Sequence, residues 1–160
     1  MANYTIQTVV TPPLPVAALT AADRLLLDLM FQSVPVEDAR LYSATGSMRF
    51  EDDREAAIVS AAIDASPPGL ARDLLEAELR NAGQTVSIDL AGSWERLLQD
   101  IVRRSPDLDH VVVITAFTCV PLQDEGVGAA ATVMTARHID SFSTFDFVET
   151  VLDARLPPKP

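Results

Sequence analysis

Two histidines and their acidic neighbours are the residues whose types and spacing could do chemistry. His110 and His138 are the only histidines in the chain. Between them run two apolar stretches, 109–119 and 127–136, that read as a hairpin. With residues 121–126 as the turn, Val120 faces Val127, His110 falls opposite Arg137, and His138 falls opposite Asp109. Both imidazoles then sit at one end of the hairpin beside Asp107, Asp109 and Asp140. Imidazole and carboxylate together can ligate a divalent metal or exchange protons near neutral pH. His110, His138, Asp109 and Asp140 are therefore the set to inspect for metal ligation or acid/base work. The competing reading has each imidazole capping a strand end and pairing with a local carboxylate at the surface. That reading is preferred, so no catalytic residue, metal ligand or cofactor is assigned from the pattern. A register slip of one residue would send the two rings to different faces.

The lone thiol offers less. Cys119 lies nine residues from His110 on the same expected strand. At ~3.3 Å per residue the two are roughly 30 Å apart, and the odd separation puts them on opposite faces. A Cys–His dyad cannot form within such a hairpin, and Cys119 reads as a small core residue. Ser43-Ala44-Thr45-Gly46-Ser47 could offer backbone N–H groups to an anion. Glu51-Asp52-Asp53 follows at once and opposes anions, so a turn is the better reading. Gln123 to Gly128 lacks the spaced oxygens of a calcium loop and reads as an acidic hairpin tip. Adjacent acids such as Asp52 and Asp53, or Asp124 and Glu125, point different ways in helix and strand. Nothing selects a catalytic pair among 23 acidic residues.

Charge narrows the partners. The 160 residues carry 23 acidic and 12 basic side chains, a net charge of −11. A field of that sign repels phosphate, which disfavours direct binding to nucleic acid or to an anionic membrane. The basic set is eleven arginines and one lysine, Lys159. No interior lysine exists for a Schiff base or a phosphate loop, and the GxxxxGK[ST] and GxGxxG patterns are missing. One cysteine allows no intrachain disulfide and suits a reducing cytoplasm. The first residues lack a basic segment followed by an apolar one, so no secretory signal is expected. The run Val111–Val120 is ten residues long, half of the ~20 that a membrane-spanning helix needs.

The elements that must position these residues follow from periodicity. Residues 3–10 alternate as a strand, and Thr11 to Pro15 form an extended connector. Thr20 with Asp23 makes a capping box for a helix carrying Leu25, Leu26, Leu29 and Met30, stopped by Pro35. Residues 39–44 read as a strand. Glu51-Asp52-Asp53 reads as the acidic first turn of a second helix with Ile58, Ala62 and Ile63 inward. A third helix spans about 69–81. Val86, Ile88 and Leu90 alternate as a strand. Trp94, Leu97, Leu98, Ile101 and Val102 form one helical stripe. The hairpin follows, and Ser143 caps a last helix holding Phe145, Val148, Val151 and Leu152.

This order predicts an α+β protein with α/β-type layers: a mixed five-stranded sheet with about five helices packed on it, and a C-terminal antiparallel hairpin followed by a helix. Strand 85–90, helix 93–105 and strand 109–119 have the length for a parallel crossover. Residues 1–156 read as one globular domain and 157–160 as a frayed Pro-rich tail. The small residues of Gly128-Ala129-Ala130-Ala131-Thr132 invite close approach, by the covering helix 143–153 or by a second subunit. Packing within the chain is the preferred reading.

Several stretches carry a resemblance. They are Val10-Thr11-Pro12-Pro13-Leu14-Pro15-Val16, Ser93-Trp94, Gln99 to Pro106, Phe117-Thr118-Cys119, Gly126-Val127-Gly128, Thr135-Ala136, Ile139, and Ser143-Thr144 with Asp146. Together they resemble a family of small uncharacterised (hypothetical) proteins encoded on bacterial plasmids and other mobile elements. The relatives carry a glycine pair where this chain has Gly128-Ala129. The resemblance covers most of the chain and implies a bacterial, cytoplasmic accessory protein. It assigns no activity and no functional residue. The expected function is a soluble, non-catalytic protein-binding module that takes a protein partner or its own copy as a homodimer. Two alternatives stand beside it: an acidic DNA mimic that inhibits a DNA-binding protein, and an enzyme using His110, His138 and the nearby aspartates.

Overall fold

Residues 3–120 and 127–155 are described by the computed structural model. The strands are β1 (Asn3–Thr11), β2 (Leu14–Pro15), β3 (Gln32–Val36), β4 (Ala39–Thr45), β5 (Glu51–Glu55), β6 (Thr85–Asp89), β7 (His110–Val120), β8 (Val127–Thr135) and β9 (Ile139–Ser143). The helices are α1 (Ala21–Met30), α2 (Ala56–Asp64), α3 (Leu70–Leu79), α4 (Trp94–Arg104) and α5 (Thr144–Arg155). The α+β class, the five helices, and a C-terminal hairpin leading to a final helix are as the periodicity predicts.

The strands form a seven-stranded sheet in the order β2-β4-β1-β7-β8-β9, with β3 also on β4, and a separate ribbon of β5 and β6. Every pairing among the described residues is antiparallel. The parallel crossover expected from 85 to 119 is therefore not formed. β6 pairs with β5 instead, and α4 joins the ribbon to the main sheet. The sheet also has more strands than the five expected, because three short segments pair. Gln32–Val36 zips along β4 where the first helix was expected to run on to Pro35, Ile139–Ser143 zips along β8 where no element was expected, and Leu14–Pro15 adds two residues from the connector.

Glu51-Asp52-Asp53 is the clearest correction. These residues belong to β5, and α2 begins only at Ala56. An acidic run suits a helix N-terminus, but backbone pairing with β6 sets the conformation here, a tertiary override of local preference. Asp52 and Arg54 share one side of the strand and pair at 2.7 Å. Ile58, expected inward on α2, is exposed, and Val59, Ala62 and Ile63 form the buried stripe.

The core lies on one side of the main sheet. Val10, Tyr42, Val111, Val113 and Met134 point from the strands into a cluster with Leu26, Leu75, Leu98 and Ile101 of the helices. The expected stripe of α4 is buried through Leu97, Leu98, Ile101 and Val102, and Trp94 packs on Phe50. The capping box of α1 is present: Thr20 Oγ1 accepts from Asp23 N at 3.1 Å, and Thr20 N donates to Asp23 Oδ2 at 2.8 Å. Arg104 of α4 reaches the fully buried Asp23 at 2.8 Å and binds Asp100 at 2.9 Å. Gln99 Nε2 donates to Thr135 O at 3.0 Å, and Arg103 Nε donates to Ala136 O at 2.8 Å. These bonds fasten α4 to α1 and to the end of β8. The chain turns after β4 at Gly46, whose φ of +91° lies in the left-handed region that favours glycine. The Pro-rich tail 157–160 and the acidic tip 121–126 lie outside the described residues.

Leu98 is fully enclosed in this cluster. Leu98→Ala should lower unfolding stability by about 2–5 kcal/mol in urea titration, since a cavity adds to the lost transfer term. A loss below about 1 kcal/mol would mean that α4 does not seal the core.

Candidate interaction surface

The hairpin register differs by two residues from that expected. His110 pairs with Thr135, not Arg137, and the ladder runs on to Thr118 opposite Val127. In this register the fully buried Val111 and Met134 stand side by side. An even shift preserves the faces. His138 does not oppose Asp109. It sits in the turn between β8 and β9, where its carbonyl accepts from Thr135 N at 2.9 Å. Asp140 lies on β9 opposite Val133. His110, His138, Asp109 and Asp140 are all exposed near one end of the sheet. Among the described residues, no three His, Cys, Asp or Glu side chains are grouped to hold a metal ion. Cys119 is a buried free thiol at the opposite end of the same strand from His110, which leaves no room for a dyad within the hairpin.

The unexpected feature is the other face of the sheet. Along β7, Val111 and Val113 point into the core, so Val112, Ile114, Ala116 and Thr118 point away from it. Register carries that face across the sheet: Val9 lies beside Ile114 on β1, Ala131 and Ala129 lie beside Ile114 and Ala116 on β8, and Phe142 lies beside Ala131 on β9. The cluster of buried residues contains none of these. Ile114 is 38% exposed, Phe142 55% and Phe147 66%.

Two depressions flank Ile114. One, of about 230 Å³, is lined by Ile114, Ala129, Ala131, Phe142, Thr144 and Phe147. The other, of about 380 Å³, is lined by Gln7, Val9, Ser43, Thr45, Ile114 and Ala116. The first bears two phenylalanines, and the second is floored by small or short side chains. Among the described residues, no charged side chain lines either depression.

Helix α5 leaves β9 at the edge of the sheet and contributes Phe147 to this face. The Ser143 hydroxyl accepts from Asp146 N at 3.1 Å, and Ser143 N donates to Asp146 Oδ2 at 3.0 Å, a capping box that starts the helix where expected. Phe145, Val148, Val151 and Leu152 follow helical spacing, with Asp146, Glu149 and Asp153 on the other side. All four apolar residues are exposed, so the helix is not the full cover expected for 143–153. Only its start packs closely: Phe145 stacks on Phe117 with centroids 6.2 Å apart, and Thr144 Oγ1 accepts from Ala129 N at 3.2 Å. The small-residue stretch thus serves two faces. Gly128 gives way to Phe117 and Thr144 on the core side, while Ala129 and Ala131 floor the open depression.

Tyr42 marks the contrast on the clad side of β4. Its hydroxyl is buried with no hydrogen-bond partner among the described residues, and its ring meets Phe31 edge-on at 6.3 Å. Burial, and secondarily the charge of Asp28, pushes its ionisation up to about 12, against the pull of Arg40 and Arg24.

Comparison with protein-family models, with curated proteins and with solved structures gives no match. No helix among the described residues is long and apolar enough to cross a membrane.

Two outcomes follow from these contacts. A Cβ at Gly128 would stand 2.5 Å from Phe117 Cζ and 2.9 Å from its Cε1. Gly128→Ala should therefore cost about 1–3 kcal/mol in urea unfolding, and Phe117→Leu in the same chain should relieve much of that loss. Neutral behaviour of Gly128→Ala would remove the packing account of this glycine. For Tyr42, the folded state holds the proton more tightly than the unfolded chain, whose tyrosine titrates near 10.0. Its contribution is complete below pH 10.0 and is lost as pH rises through about 12. Tyr42→Phe should flatten the fall in melting temperature across that window, and an unchanged slope would contradict it.

Proposed function

We propose that this chain is a non-catalytic protein-binding module whose working surface is the open sheet face around Ile114, Phe142 and Phe147. The observation that carries this reading is the apolar character of that face. Monomeric proteins rarely leave large contiguous apolar patches exposed, and such patches mark interaction sites. A sheet needs a second layer on each apolar face, and the described helices of the core serve only one. The bacterial, cytoplasmic and plasmid-associated setting belongs to the same proposal and rests on the family resemblance. As a plasmid-borne accessory protein, the chain would act by holding a partner rather than by transforming a substrate.

The rival readings find less support. An enzyme built on His110, His138, Asp109 and Asp140 would need these exposed groups to converge. A DNA mimic needs two rows of carboxylates at phosphate-like spacing. The β5–β6 ribbon offers Glu51, Asp53 and Glu55 in one row, with Asp89 alone beside Glu51.

Site-specific photocrosslinking in producing cells tests the proposal. A benzoyl-phenylalanine at the position of Phe142 should yield covalent adducts to protein, whether another chain or a second copy. The same probe at Glu78, exposed on α3, should yield few. Equal or absent adduct formation at both positions would reject the module.

A further inference from the structure

We infer that the occupant of the open face is a second copy of this chain, seated face to face about a two-fold axis near Ile114. This rests on the binding-module reading and names its partner. Three observations point to it.

The first is shape. On one side of Ile114 stand Phe142 and Phe147, two of the most exposed large side chains in the molecule. On the other side lies the 380 Å³ depression walled by Gln7, Val9, Ser43, Thr45 and Ala116, none of them bulky enough to fill it. Projection and depression belong to one surface. A two-fold interface is self-complementary, so residue i of one protomer meets residue j of the other and the reverse. Rotation about Ile114 sets the phenylalanines of each copy against the depression of its partner.

The second is area. Phe142, Phe147, Ile114 and Val127 are all exposed. Their apolar side chains alone present on the order of 400 Å² per protomer, half of the ~800 Å² that each partner contributes to a standard interface, and Val9, Ala116, Ala129 and Ala131 lie beside them. Two such sheets packing at ~10 Å separation would make a sandwich whose second layer is the same sheet again.

The third is charge. A chain of net charge −11 repels its own copy. Self-association is then confined to surface that carries no charge, and among the described residues both depressions lack charged side chains. The acids of α5 lie away from its apolar stripe, and Asp140 sits towards the rim at β9. Because the rest of each protomer is acidic, added salt should tighten the dimer by screening repulsion across the rim.

Sedimentation velocity of the full-length chain decides the matter. At about 50 µM, a concentration at which a Kd near 1 µM is saturated, the expected species has twice the 17.3 kDa monomer mass. Its dissociation constant should fall between 0.05 and 0.5 M NaCl. Phe142→Asp and Phe147→Asp should each raise that constant at least about 30-fold, as truncation of an aromatic anchor does. Glu78→Ala should leave it unchanged. Should either aspartate variant fail to fold by circular dichroism, Gln7→Arg places a charge in the depression without touching the phenylalanines, and it should break the dimer as well. A wild-type chain that stays monomeric at all these concentrations, or a dimer indifferent to all three face substitutions, overturns the inference. A monomer that still gives adducts to a different protein from position 142 rejects the second copy and leaves the binding module standing. A monomer without adducts at 142 rejects both.

Discussion

The governing constraint is that β7 is apolar on both faces and has pairing strands on both sides. Val111 and Val113 alternate with Val112 and Ile114, so a single ribbon demands cover above and below. The helices of the core answer that demand on one face only, where Leu97, Leu98 and Ile101 close over Val111 and Met134. The other face is left to Ile114 and the small residues beside it. Burying apolar surface stabilises by about 25 cal/mol per Å², so an uncovered sheet face is a standing drive toward association. The small residues of β8, the exposed Phe142 and Phe147 and the uncharged depressions all belong to this imbalance.

The clad face is held firmly enough to act as a platform. Asp23 is fully buried, and one of its oxygens accepts from Thr20 N, Thr20 Oγ1 and Arg104 Nη2. A buried carboxylate that loses its cation is strongly destabilising, so this contact ties the start of α1 to the end of α4. Gln99 and Arg103 then tie α4 to Thr135 and Ala136. These bonds run through the layer opposite the open face. The phenylalanines of that face therefore project from an ordered sheet rather than from a loose loop, which limits the conformational entropy lost on docking.

Much of the architecture was legible in residue patterns. The α4 stripe, the Thr20 and Ser143 caps, the alternation of β1 and β6, and the unbroken apolar run of β7 are each specified by local chemistry. The failures share one cause. β3, β5 and β9 are short and polar or interrupted by proline, and their conformation comes from a neighbouring strand, which no local window contains. Glu51-Asp52-Asp53 became a strand because β6 offered backbone partners, not because of its own preference. The interaction surface was hidden for a related reason. The apolar stripe of α5 and the run Val111–Val120 are visible in the chain, but both read as core until the helices are placed. Only the structure reveals that the four buried helices share one side, which leaves Ile114 and Phe142 without cover. The two histidines, by contrast, drew attention through residue type alone, and a two-residue change in register altered their neighbours.

The central claim is that the face bearing Ile114, Phe142 and Phe147 is bare in the isolated chain and becomes covered on association. Hydroxyl-radical footprinting across a dilution series reads this directly at the phenylalanine rings. Phe142 and Phe147 should be strongly modified in dilute protein and become protected as concentration rises, while the buried Phe31 stays protected throughout. Protection of Phe142 and Phe147 at every dilution would show that the chain covers this face by itself, and would contradict the account.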